Sequence, residues 1–232
     1  MSEHYKKMLE VKAFVEESAR QIFQVYGNEL ELKLEDYNLL SHKNNCLESS
    51  TAIGFIIEEF LVSKLEKYTA CRESSIGKVI RNSGPTVTSS YDCHISFANI
   101  KTLVNIKAQK WHKANDGVAA INKLYHDFAV VDPGQQKAYL VLKVIYSYNK
   151  PVNGENKKIT VKDIEAYYLD EINLFGEHKQ DHRNWSSNFN QLSGRLQISD
   201  KFRRDNQIAI EEISYENTVK MLKSVIARSA KK

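Results

Sequence analysis

The sequence predicts an α/β fold in which a mixed central β-sheet is flanked by helices, and three observations carry that expectation. Apolar residues recur at three- and four-residue steps in two stretches of the N-terminal third. After the turn signal NSGP, from Asn82 to Pro85, the character changes to β-branched and aromatic residues. The string KAYLVLKVIYSYN, beginning at Lys137, is dense enough in apolar residues to be a central strand. No internal repeat, low-complexity tract or separating linker is visible, so residues 1–232 are read as a single domain.

Each element follows from local pattern. From about Glu3 to Tyr26, Met8, Val11, Phe14, Val15, Ala19, Ile22 and Phe23 form the stripe of an amphipathic helix that Gly27 or Asn28 ends. Ser49, Ser50 and Thr51 are good N-cap types for a second helix from about Ala52 to Tyr68, with Ile53, Ile57, Phe60, Leu61, Leu65 and Tyr68 on one face. VTSSYDCHISF and KTLVNIKAQKW read as two strands joined by a short turn, and Val118 to Val131 as a helix. The strand at Lys137 turns through Pro151 to Asn156 into a further strand beginning near Lys157. After a polar segment, a last helix is expected from about Asp205 to Ala230.

At 232 residues the chain can bury a substantial core without covalent staples. Cys46, Cys71 and Cys93 are odd in number, widely spaced and free of any C-x-x-C pair, which signals neither a disulfide framework nor a zinc ribbon. The opening MSEHYKKMLEVKAF has scattered charges and no signal-peptide core, and nothing later approaches a membrane-spanning length. A soluble protein of the reducing cytoplasm, with no membrane partner, is expected. The formal charge of +4 and the pI of about 8.7 suit a polyanionic partner without requiring one. No G-x-x-x-x-G-K-[ST] loop, G-x-G-x-x-G turn or G-x-S-x-G elbow occurs, so a nucleotide-driven motor, a dinucleotide enzyme and a serine hydrolase find no support.

The informative string is LVNIKAQK, from Leu103 to Lys110, where a lysine interrupts an otherwise buried-looking strand. On a strand Asn105, Lys107 and Gln109 share one face, and Val104, Ile106 and Ala108 the other. Asp92 lies fifteen residues before Lys107 on the preceding strand, and a hairpin brings it beside Asn105 and Lys107. On the second helix Glu58 falls about 100° from the apolar centre and Glu59 points almost directly away, so Glu58 is the better candidate to face a site. Carboxylates that hold magnesium, a water made nucleophilic near it and a cation beside the attacked phosphate are what phosphodiester hydrolysis needs. Plainer readings stay open: an edge-strand lysine at 107, a strand-end acid bonded to backbone at 92 and a solvated helix glutamate at 58.

These pieces resemble the PD-(D/E)XK nuclease superfamily, whose pattern is an acid on one strand and acid-x-lysine on the next, often preceded by a glutamate-bearing helix. The matching residues are the G-x-x-x-E of Gly54 to Glu58, Tyr91-Asp92, and Asn105-Ile106-Lys107, and the resemblance runs in element order from Gly54 to about Tyr148. VNIKAQK looks like the IDIK-type or IDFK-type strand of blunt-cutting type II restriction endonucleases. Asn105 stands where that strand carries an acid. It is natural with Glu58 supplying the missing charge, or an inactivating substitution, or a sign that the match is accidental. Asparagine has nearly the shape of aspartate, so the strand is expected to accept either.

The resemblance implies a restriction-endonuclease-like fold, a Mg2+ cofactor held by Asp92, Glu58 and Asn105, Lys107 at the scissile phosphate, double-stranded DNA as partner and a homodimer that cuts one strand per active site. Lys110, His112 and Lys113 extend the strand end into a basic cluster that could meet a phosphate backbone or could be an ordinary solvated loop. The segment 176–204 is the candidate DNA-recognition element. It is rich in basic and amide side chains, among them Arg183, Asn188, Asn190, Gln191, Arg195, Gln197, Arg203 and Arg204, types that read base edges or fix phosphates.

Overall fold

The structure, a computed structural model, describes residues 3–32, 50–84, 89–113, 115–148, 157–175, 180–181 and 195–229. Helix α1 (Glu3–Tyr26) buries Met8, Val11, Val15, Ala19, Ile22 and Phe23, the stripe that the sequence predicts. It stops at Gly27, whose φ of 90° is a left-handed conformation that suits a residue without a Cβ. The short strand β1 (Glu29–Leu32) follows, then α2 (Ser50–Ala70), which buries Ile53, Ile57, Leu61 and Leu65. Thr69 Oγ1 donates to Leu65 O (2.8 Å) and accepts from Val79 N (3.0 Å), tying the end of α2 to the approach to β2 (Ile80–Arg81).

Strands β3 (Cys93–Phe97) and β4 (Ile100–Lys110) form the hairpin expected from sequence. Its two turn residues, Ala98 and Asn99, have φ of 48° and 67°, the pair of left-handed conformations that matches the twist of the flanking strands. The first strand is shorter than the pattern suggests, because residues 89–92 are drawn into a polar brace described below. Val118 to Val131 was expected to be helical throughout, but Val118 to Ala120 close β5 (Asn115–Ala120). Only α3 (Ile121–Tyr125) and a π-helical turn (His126–Val130) follow it. Strands β6 (Gln136–Tyr148) and β7 (Lys157–Tyr168) stand where the sequence places them. Beyond them come β8 (Gln180–Asp181), β9 (Arg195–Ser199), α4 (Asp200–Asp205) and α5 (Tyr215–Ser229). The last helix thus begins ten residues later than expected, after a separate turn of helix at α4.

The sheet order is β1-β7-β6-β4-β3-β2, mixed as predicted: β4 and β6 pair in parallel and the other neighbours are antiparallel. Helices α1 and α2 cover one face, where Ile57, Leu61, Val104, Ile106, Leu140 and Leu142 share a core. On the other face α3, α5 and a small β5-β9-β8 sheet pack over Leu103, Tyr139 and Val141. No helix among the described residues is long and apolar enough to cross a membrane.

Asp170 pins this second layer. Its carboxylate accepts Tyr139 N (2.9 Å) from β6 and Thr218 Oγ1 (2.8 Å) from α5. Burial outweighs both bonds and raises its pKa to about 6. An acid raised on folding favours the folded state when protonated, so its contribution falls as pH rises from about 4 to about 6. Asp170→Asn removes that penalty. Its stability relative to the parent should therefore rise by roughly 2 kcal/mol between pH 4 and pH 7 in urea titrations. A difference that does not change with pH would contradict the assignment.

Candidate active site

Strand β4 outruns the strand beside it. Its pairing with β3 ends at Val104 opposite Cys93, with Asp92 N donating to Val104 O (2.9 Å), whereas its parallel pairing with β6 continues to Lys110. Beyond that point the main-chain groups of alternate residues, Ile106 and Ala108, face away from β6 with no strand among the described residues to meet them. Three charged side chains gather there. Asp92 Oδ2 accepts Ile106 N (2.6 Å) and Lys107 Nζ donates to Ile106 O (2.8 Å). Glu58, from α2, takes a hydrogen bond from the Ala108 backbone and lies 3.5 Å from Lys107 Nζ. All three side chains are half-buried.

The structure thus brings Glu58, Asp92 and Lys107 together from α2, the approach to β3, and β4. Glu59 turns aside, as the helical geometry predicts, to pair with Arg81. At Lys107 β4 is paired with β6 alone, so the lysine does stand on an open strand edge, but its ammonium is turned onto Ile106 O and towards Glu58. Burial raises the pKa of both Glu58 and Asp92. The Lys107 charge opposes the rise in each, and the Asp92 charge adds to it at Glu58. Two desolvated acids sharing one ammonium are short of positive charge, which is the electrostatic condition that favours a bound cation.

Among the described residues no three His, Cys, Asp or Glu side chains form a ready cage for a metal. Two carboxylates are nevertheless enough for magnesium, which keeps several waters and uses substrate phosphate oxygens. Asp92 and Glu58 fit that donor set.

Asn105 sits one step deeper, 2% exposed. Its Nδ2 donates to Val118 O (2.8 Å) and to Tyr139 Oη (2.8 Å), and the Tyr139 hydroxyl donates in turn to Ser90 O. Ser90 N is held from the other side by Asp127 Oδ2 (2.6 Å). This brace fixes the segment that carries Asp92. Tyr139, Ser90 and Asp127 are the residues that sequence reasoning missed, since they lie on separate elements and no spacing links them.

The candidate DNA contacts divide. Lys113 is exposed and Lys110 half-buried at the end of β4. Arg195 is exposed at the start of β9, its Cδ so close to Gly117 that a Cβ there would stand 3.1 Å away. Gln197 is half-buried on the same strand, and Arg204 is exposed on α4. Arg203 is committed inward. It stacks over Tyr167 (4.6 Å) and meets Glu165 (3.4 Å) and Asp200 (3.5 Å), which also flank the fully buried Lys143 at 3.0 and 2.9 Å. Arg183, Asn188, Asn190 and Gln191 lie outside the described residues.

The geometry of Asn105 gives it a donor's role that aspartate cannot fill, contrary to the expectation that either residue would be accepted. Asn105→Asp should destabilise the fold by about 1–3 kcal/mol at pH 7, because a carboxylate would face the Val118 carbonyl with no proton to offer. Urea unfolding measures this, and a neutral or stabilising change would contradict the assigned hydrogen bonds.

No family model and no curated protein matches the chain. Among solved structures it is similar to NlaIV restriction endonuclease at 15% sequence identity with a TM-score of 0.44, over 92% of this chain and 88% of that one.

Proposed function

We propose that the chain is a magnesium-dependent deoxyribonuclease, and more narrowly a type II restriction endonuclease that acts in the cytoplasm as a homodimer on a specific double-stranded sequence. The observation that supports it is the convergence of Glu58, Asp92 and Lys107 where β4 outruns β3. This is the acid, acid and lysine set of the nuclease pattern, with the helix glutamate in the place that Asn105 leaves empty of charge. Asp92 and Glu58 would hold the metal. Asn105, its Nδ2 spent on Val118 and Tyr139, could add only its neutral oxygen. Bound magnesium supplies a Lewis acid for the phosphate and an activated water. Lys107 orients the attacking water or balances the charge growing on the phosphate, and its contacts with Glu58 and Ile106 O keep the ammonium in place.

A second reading, a DNA-binding module that does not cut, draws on the structural work that Asn105 performs. Incubating the protein with supercoiled plasmid and magnesium chloride separates the readings. Discrete fragments are expected. General degradation would favour a structure-directed repair or recombination nuclease of the same fold, and retention without cutting the inactive module. Lys107→Ala should lower the cleavage rate by about 10²–10³-fold while plasmid binding changes little. An equal loss of binding would remove Lys107 from the reacting centre.

We assign recognition to residues 176–204, within which the described strand β9 carries Arg195 and Gln197. If Arg195 reads a base, Arg195→Ala should weaken binding to the cleaved sequence by about 1–3 kcal/mol and binding to random duplex hardly at all. Equal losses in competition gel shifts would make it a phosphate contact.

A further inference from the structure

Trp111 follows the last residue of β4, four positions beyond Lys107, and stands 44% exposed. An indole is the largest apolar surface a chain can offer, and leaving it in water is unfavourable unless something covers it in use. The turn that carries it is tightly held. Trp111 N donates to Tyr146 O (2.7 Å), Lys113 N to Lys110 O (3.0 Å), and the buried Gln109 side chain to Lys113 O (2.9 Å). His112 has a φ of 68°, a conformation that costs a non-glycine residue free energy and persists only when its surroundings impose it. The His112 ring stands edge-on to the indole at 5.1 Å and 74°. Across the sheet, the pairing of β6 with β7 shifts register between Ile145 and Tyr146, beside the residue that anchors Trp111. Irregularities of this kind re-aim strand ends.

We propose that Trp111 is a base-stacking contact for DNA, placed on a rigid turn so that a nucleobase of the strand held at Lys107 packs against the indole. The inference rests on the nuclease reading for DNA as the partner and for the placement of that strand at Lys107. Lys110 and Lys113 lie on either side of Trp111 in the sequence and match a phosphate backbone in charge. Four strand residues span roughly 13 Å, about the rise of four base pairs at 3.4 Å each. A base stacked on Trp111 is therefore at most a few nucleotides from a phosphate held at Lys107. Bases inside a regular duplex are not open to an indole face, so the contact selects DNA that is unstacked, kinked or single-stranded at that point.

The test uses the full chain, fluorescein-labelled single-stranded and duplex DNA, and EDTA, so that nothing is cut. Trp111→Ala should weaken binding by roughly 5- to 150-fold, the range for a lost base–aromatic stack. Trp111→Phe should restore most of the affinity, and Trp111→Lys, which adds charge without a ring, should not. DNA should also quench tryptophan emission in the parent more than in Trp111→Phe. Binding by the parent with no loss in Trp111→Ala, or rescue by lysine, overturns the stacking contact and leaves the nuclease reading standing. So does a Trp111→Ala protein that falls from dimer to monomer in gel filtration while its DNA affinity is kept, because the ring then covers a second copy of the chain. No binding by the parent to any duplex or single strand overturns both readings together.

Discussion

The site depends on a mismatch of strand lengths. β4 is committed to β6 along its whole length, and that parallel pair is buried by apolar layers on both sides, so β4 cannot shorten without losing core. β3 stops partway along it. The main-chain groups left over at Ile106 and Ala108 are half inside the protein, where an unmet donor or acceptor costs about 1–3 kcal/mol. Asp92, Lys107 and Glu58 meet them, and the same geometry forces two acids and a lysine into one place. Charged groups that a smooth sheet edge would leave in solvent are thereby held, partly dehydrated, at the end of a rigid strand.

Asp170 shows what this device does without the chemistry. It too meets a strand N–H just past the end of a pairing, that of Tyr139, next to the last β6–β7 pair at Leu140. Its other oxygen is taken by Thr218, and it is buried, 2% exposed. Asp92 differs in two respects: it is half-exposed, and a lysine and a second acid share its surroundings. Exposure together with unbalanced charge separates an acid that braces a fold from one that is able to take a metal.

The sequence carried the elements that depend on local pattern. The stripe of α1, the hairpin at Ala98-Asn99 and the apolar run of β6 are periodic or turn-coded, and Glu58 was separable from Glu59 by angle alone. What it did not show is set by distance along the chain. β5 and β9 pair with each other across about eighty residues of sequence, so Val118 to Ala120 carry no local sign that they form a strand and not the start of a helix. The brace through Asn105, Tyr139, Ser90 and Asp127 is invisible for the same reason. Asn105 was read by its position in a motif, which specifies an oxygen, whereas its surroundings use its N–H groups. Arg203 looked like a base reader by composition, but Tyr167, Glu165 and Asp200 draw it inward.

That inward draw links the two halves of the molecule. Lys107 on β4 stands directly opposite Lys143 on β6, and Lys143 opposite Glu165 on β7, so one row of the sheet runs from the candidate active site to the ion cluster. Asp200 closes the cluster from above, and it is the residue immediately after β9, the strand that presents Arg195 and Gln197. Lys143 is fully buried, so losing Glu165 or Asp200 would leave part of its charge without compensation. The end of β9 is accordingly fixed to the sheet at the level of Lys107. Arg195 and Gln197, proposed to read bases, and Lys107, proposed to act at the phosphate, are thus held in register by the same row of strands, α4 following β9 with no residue between them.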